Sequence, residues 1–438
     1  MRYLAIGWLC VLLGVAWQGS AAAATLENVV STTLESNPEV LALRHERLVR
    51  DQELVQARSD YRPKLDLVAV VGRENNDTPS TRAQGFNDID LTRREIELQA
   101  RQLLFDGFAT KNNADRQEAR IESAAYALYD VSERTGLSAI DVYLEVLRRR
   151  QLLELSKENL AAHLSIYDQI KARSASGVGR KSDSDQVESR VALAQASVIS
   201  DEFNLIDAET DYHRVVNEFP GDLERPVPPT DRLPSSIDEA MELAVEYHPV
   251  LKSATADVDA NIAEHEGTRN GYYPRIDLEV FTGVREDLDG LQGDHDDYGV
   301  LLRMRYNFYR GGFDAARIKQ TAAEVEEARE IRNNSHRQVV QSVRLSWIAY
   351  EANQTLSAHL RQRVESSIKT RDAYKTQFNI GQRTLLDLLD IENELIDAKR
   401  ELLNSDFTGL FAQYRILVGT GQLLQALGIS LPEETEIN

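Results

Sequence analysis

Cysteine is almost missing from this 438-residue chain: the one present is Cys10. It lies within an apolar stretch, Leu4 to Ala16, that follows Arg2 and precedes Ala22-Ala23-Ala24. That stretch is too short for a spanning helix and reads as a secretory signal over 1–24, with the mature chain starting near Thr25. A mature chain without cysteine holds no disulfide, thiolate metal site or thiol nucleophile. Cys10 also sits too early to be a lipidation cysteine at a cleavage point. No later stretch approaches about 18 consecutive apolar residues. Such an exported chain is periplasmic, secreted, or in a membrane as a β-barrel. Basic charge is in deficit, and the formal net charge of −21 argues against nucleic acid as a partner. Catalytic signatures are lacking too. His163, His213, His248, His265, His295, His336 and His359 are scattered, without an HExxH or an i, i+4 ligand pair. No GxSxG, P-loop or GxGxxG follows a strand. Neither an enzyme, a metal centre nor a cofactor is expected.

Proline is absent between Pro79 and Pro220 and between Pro274 and Pro432. Those stretches are rich in Ala, Glu, Gln, Arg and Leu and read as long helices. From Gly107 to about Arg173 only Gly136 interrupts the pattern. A helix of that length reaches about 100 Å at ~1.5 Å per residue, more than a compact domain needs. Heptad spacing runs through Leu388, Ile391, Leu395, Ala398 and Leu402, and through Val187, Val191, Ala194 and Val198. That spacing predicts left-handed coiled-coil packing.

The prolines that are present expose a duplication. Pro38 and Pro249 lie 211 positions apart, as do Pro63 and Pro274. Tyr61-Arg62-Pro63-Lys64-Leu65-Asp66-Leu67 matches Tyr272-Tyr273-Pro274-Arg275-Ile276-Asp277-Leu278. Phe105-Asp106-Gly107-Phe108 matches the Gly311-Gly312 region, and Gly177 and Asp183 match Gly381 and Asp387 at a spacing of 204. The predicted organisation is a first repeat over 25–217, a proline-rich linker over 218–236, a second repeat over 237–426 and a tail over 427–438.

Each repeat carries two period-two segments, predicted as strands at about 64–73, 92–104, 275–285 and 298–308. Ile96, Leu98 and Ala100 oppose Glu95, Glu97, Gln99 and Arg101. Ile276, Leu278, Val280 and Val284 oppose Asp277, Glu279 and Arg285. Tyr298, Val300, Leu302 and Met304 oppose Arg303 and Arg305. Segments of about 9–11 residues suit a tilted transmembrane strand. A polar face carrying both signs of charge suits a water-filled lumen, so Glu95, Glu97, Arg101, Asp277, Glu279, Arg303 and Arg305 are the expected barrel lining. Tyr61, Phe105, Tyr272, Tyr273, Phe308 and Tyr309 gather where strands meet helices, as an interfacial girdle would. Residues 74–90 and 286–297 read as polar hairpin loops, the second strongly acidic and extracellular. Four strands cannot close a barrel and open edges cannot face lipid, so about three copies and twelve strands are expected.

Phe378-Asn379-Ile380-Gly381-Gln382-Arg383-Thr384-Leu385-Leu386-Asp387-Leu388-Leu389-Asp390 resembles the second periplasmic tip of the TolC family of outer-membrane channels. Ser176-Gly177-Val178-Gly179-Arg180-Lys181-Ser182-Asp183 resembles its first, and the likeness spans nearly the whole mature chain. The resemblance implies an α+β membrane protein: four transmembrane strands per protomer, a twelve-stranded barrel as a homotrimer, and a periplasmic α-barrel of coiled-coil helices. It implies an entrance gate at Asp183, Asp387 and Asp390. Arg383 matches the basic residue that links helices in the closed state, and Phe378 stands where the family often has Tyr. Gly177, Val178, Gly179, Arg180, Lys181, Ser182, Gly381, Gln382, Thr384 and Leu385 would contact a periplasmic adaptor joined to an inner-membrane ABC transporter. The second tip and the missing lipidation cysteine look more like the type I protein-secretion branch than like lipidated drug-efflux members. The competing readings are a small-molecule efflux channel and a periplasmic coiled-coil scaffold without a barrel.

Overall fold

The computed structural model describes residues 24–83, 85, 88–176 and 180–437. The signal expected over 1–24, except Ala24, lies outside them. The chain runs through α1 (Leu26–Ser36), α2 (Pro38–Ser59), β1 (Lys64–Asn76), α3 (Pro79–Ala83), β2 (Ile89–Phe105), α4 (Ala109–Ala175) and α5 (Lys181–Val216). It continues through α6 (Ile237–Tyr247), α7 (Pro249–Gly267), β3 (Arg275–Leu288), β4 (Leu291–Arg305), α8 (Phe313–Asn379), α9 (Leu385–Gly419) and the short α10 (Leu423–Ala426). Apart from α3 and α10, each element of the first series has a counterpart in the second. No described helix is long and apolar enough to cross a membrane.

α4 and α8 each have 67 residues, about 100 Å of continuous helix. Asp106 starts α4 by accepting hydrogen bonds from the Thr110 N–H and hydroxyl at 2.9 and 2.6 Å. Gly107 precedes it with φ +70, and a Cβ there would lie 2.7 Å from the Tyr273 Cβ. Only glycine fits that turn, which is why the strand-to-helix exit carries it. Gly136 does not break α4. It lets Leu424 and Val30 approach, since a Cβ would stand 3.0 and 3.4 Å from them.

α4 pairs with α5, and α8 with α9, as two hairpins, the second with its tip at residues 380–384. Midway along them a core gathers α1, α4, α5, α9 and α10 around Val30, Leu128, Ile140, Tyr143, Tyr414 and Leu423. A buried polar link joins the hairpins below it: Arg400 on α9 donates to Asp201 on α5, which also accepts from Ser156 on α4. Of the predicted heptad positions, Val187, Val191, Ala194, Leu388, Ile391, Leu395 and Ala398 are buried, and Val198 and Leu402 are half-buried.

The strands form one antiparallel sheet in the order β1-β2-β3-β4, so β2 and β3 sew the two halves together. β1 and β4 are its open edges. The strands are longer than alternation predicts. β4 begins at Leu291 and ends at Arg305, instead of spanning 298–308. Left-handed backbone at Asp287, Asp289 and Gly290 makes a tight hairpin. Much of the expected acidic loop therefore pairs as strand, with Glu286 opposite Asp294 and Arg285 opposite His295. The expected loop 74–90 likewise loses its ends to β1 and β2 and holds α3 between them. At the other end of the sheet, Phe105, Phe108 and Tyr273 pack edge to face with centroids 5.6–6.2 Å apart.

Candidate functional site

The sheet is inside out relative to a soluble one. Its apolar face is open, with Leu65 71%, Val71 78% and Leu302 68% exposed. On its charged face the central carboxylates Asp277 and Glu279 are only 5% and 4% exposed, shielded by the arginines beside them. An antiparallel sheet over a water-soluble core covers the opposite side. Pleating places all seven expected lining residues on the charged face.

Those charges are paired both across strands and along them. Arg303 of β4 grips Glu279 of β3 at 2.7 Å, and Arg101 of β2 approaches the same carboxylate at 3.5 Å. Arg275 meets Asp277 at 3.0 Å. Arg305 ends β4 on this face, exposed. Nearer the hairpin end, Arg285 is a hub that reaches Glu95 at 3.1 Å, Glu97 at 2.8 Å and Asp297 at 2.9 Å. Arg93 joins Glu95 at 2.6 Å and Glu74 at 3.6 Å. Asp297, Arg93 and Glu74 are absent from the expected lining. Asp297 falls in the stretch read as loop, so its register was invisible; alternation did put Arg285 on the polar side.

The second helix tip is defined by local chemistry. Gly381 adopts φ +79 and donates to the Phe378 carbonyl, while the Gln382 N–H returns to Gln377 at 2.8 Å, closing α8. Thr384 caps α9: the Asp387 N–H donates to the Thr384 hydroxyl at 3.3 Å, and the Thr384 N–H and hydroxyl donate to the Asp387 carboxylate at 3.1 and 2.7 Å. Those donors hold the Asp387 carboxyl below its ordinary range, the Thr384 hydroxyl most of all. Asp387 is thus a capping residue before it is anything else.

The tip residues divide into buried and exposed sets. Phe378 and Leu385 are 7% and 6% exposed, in a core with Ile166, Ile170, Val187, Val191 and Leu388. Within the protomer, four converging helices bury both. The Phe378 ring carries the Arg173 guanidinium of α4 at 4.7 Å. Within the protomer Arg383 stacks on Tyr374 at 4.3 Å, donates to Gln377 at 3.1 Å and stands 3.9 Å from Asp387. Within the protomer, Arg190 of α5 links the two hairpins by donating to Asp390 of α9 at 3.1 Å. No sequence signal singles out Arg190; its partner is 200 residues away.

At the first tip, Arg180, Lys181 and Ser182 are exposed and Asp183 lies in the first turn of α5. Arg180 gives α5 no side-chain cap. Gly177, Val178 and Gly179 lie outside the described residues. Gly381, Gln382, Arg383, Thr384 and Asp390 are exposed at the second tip.

A family model described as "Outer membrane efflux protein" matches residues 29–215 and 240–408. The chain is similar to "Outer membrane efflux protein BepC" of Brucella suis, 26% identical over 97% of this chain and 92% of that one. It is 24% identical to "Outer membrane protein TolC" of Salmonella enteritidis, over 95% and 86% of the two chains. It is also 24% identical to "Proteases secretion protein PrtF" of Dickeya chrysanthemi, over 92% and 90%. Among solved structures, the CmeC outer membrane channel of Campylobacter jejuni superposes with a TM-score of 0.79, at 13% identity and over 99% and 96% of the two chains, a likeness of fold.

Proposed function

This chain belongs to the outer membrane efflux protein family, the channels that work with adaptors and inner-membrane transporters, and on that premise we propose that three copies form a duct exporting proteins by type I secretion. It is an outer-membrane channel whose helices extend into the periplasm. The observation that carries the duct reading is the inverted sheet, apolar outside, ion-paired inside and open at β1 and β4. Lipid tolerates the apolar side, water the charged one, and a neighbouring copy must pair the edges. The outer helices have the same need. α5 exposes Leu193, Ile199, Phe203 and Ile206, and α8 exposes Leu345, Ile348 and Leu356.

The exposed tips would dock an adaptor fed by an ABC transporter. Docking shifts the tips from a clasped to an open arrangement by favouring the second. The Arg190–Asp390 and Arg173–Phe378 contacts are what opening has to break. Secretion is favoured by the Asn379-to-Asp390 tip and by similarity to a protein named for protease secretion. Efflux of small molecules is the second reading, favoured by similarity to a protein named for efflux. Deleting the gene separates them. Loss of a large secreted protein with unchanged drug tolerance is the expected result; drug hypersensitivity with an intact secretome replaces secretion with efflux.

A further inference from the structure

The charged face of the sheet is not mixed uniformly. Its helix-proximal half carries Arg101, Arg275, Arg303 and Arg305 against Asp277 and Glu279, a surplus of two positive charges. Its hairpin-proximal half carries Glu74, Glu95, Glu97 and Asp297 against Arg93 and Arg285, a surplus of two negative charges. On β1, Lys64 stands opposite Arg101 and is neutralised by Asp60 at 2.6 Å. Between the halves lies a layer in which Gln99, Phe281 and Gly299 stand side by side, with Asp66 of β1 beside Gln99 as its one strand charge. The Phe281 ring lies over Gly299, where a Cβ would come within 2.7 Å of it. Gly283 serves the upper belt in the same way, since a Cβ there would stand 2.9 Å from Asp297 Oδ1. The separation of signs is thus built into the backbone as well as the side chains.

We propose that the barrel lumen carries two fixed-charge belts of opposite sign in series, positive on the periplasmic side and negative on the outer side, and that these make the duct rectify ion flow. The inference rests on the duct reading above and deepens it. Glu279 and Arg285, near the belt centres, are six residues apart on β3, or roughly 15 Å along the axis at ~3.3 Å per residue and ~40° of tilt. That exceeds the Debye length of about 10 Å at ~0.1 M salt, so each belt acts on ions separately. The negative belt concentrates cations and the positive belt anions. A voltage that drives both towards the layer between them fills the lumen with carriers; the opposite voltage depletes it. Current is therefore larger when the hairpin side is positive.

The test is current–voltage recording from the full-length protein in planar bilayers with potassium chloride. The expected ratio between polarities is about two at ~0.1 M salt, falling towards one at ~1 M, where the Debye length is about 3 Å. Arg101→Gln with Arg305→Gln erases the surplus of the positive belt and leaves the Arg303–Glu279 pair intact. Glu97→Gln with Asp297→Asn erases that of the negative belt. Each pair of substitutions should bring the low-salt ratio close to one. Equal currents at both polarities in the unsubstituted protein, or an unchanged ratio in both variants, overturns the proposal. Protein that inserts with native secondary structure yet never conducts, even with Arg190→Gln loosening the tips, overturns the duct reading instead.

Discussion

α4 and α8 are counterparts of equal length, yet 23 residues of α4 are buried and only ten of α8. The same position in the two helices is Glu133 in one and Arg337 in the other. Glu133 is 1% exposed beneath α10, and Arg337 faces solvent. The duplication fixed length and order, but the environments diverged because α4 packs against α1, α2, α5, α7, α9 and α10, whereas α8 packs against α6, α7 and α9. α8 is left at the margin of the protomer with an apolar stripe uncovered. A repeat whose halves were equivalent would leave both helices half-covered; here one became the spine and the other an edge.

The comparison breaks most visibly at the edge. Leu345→Glu with Ile348→Glu on α8 should abolish the trimer, measured by analytical ultracentrifugation in detergent, with helix content preserved by circular dichroism. Retention of a trimer would mean that α8 is not covered by a neighbouring copy.

The spine is tested through Glu133. It accepts the Leu423 and Leu424 N–H groups at 2.8 and 3.0 Å, yet burial pushes its carboxyl up to about 7. The folded chain then holds that proton more tightly than the unfolded one. Its contribution is most favourable below the ordinary carboxylate pKa of about 4.5 and declines as pH rises to about 7. The decline amounts to about 3 kcal/mol. Glu133→Gln should remove that slope in urea titrations at pH 5, 6 and 7.5. Parallel curves for the two proteins would refute the buried-charge account.

The smallest effect belongs to the contact that joins the hairpins at their tips. Arg190–Asp390 is partly exposed, and such pairs contribute up to about 1 kcal/mol. Arg190→Gln should raise open probability in bilayers by up to about fivefold, and Arg190→Asp with Asp390→Arg should restore the unsubstituted value. A charge swap that fails to restore closure would show that the pair does not hold the tips.

Much of this protein was legible where the determining interactions are local. Missing prolines and a 3.5-residue period marked the long helices, and alternation marked the strands. The Thr384–Asp387 cap is written within four residues. The duplication marked Gly107 and Gly381, and both stand at turns with left-handed backbone. Legibility failed where a partner lies far along the chain. β4 starts earlier than its pattern suggests because Arg285 and Glu286 offer pairing to a charged segment that would not be a strand alone. Phe378 and Leu385 carry a tip motif yet are buried, because burial depends on the opposite hairpin. Arg190 and Glu133 had no sequence signal of their own role, and Arg285 had only its place on the polar face, since each is defined by residues 12 to 291 positions away.

The sequence by itself determined a duplicated chain of long helices and short amphipathic strands, because periodicity, proline and glycine act over a few residues at a time. Only the tertiary structure decided which helix became the spine, which arginine clasps the tips, and how the charges of the sheet separate by sign. Those depend on register and on which surfaces meet, and a single residue's shift in pairing would turn every charged side chain to the other face.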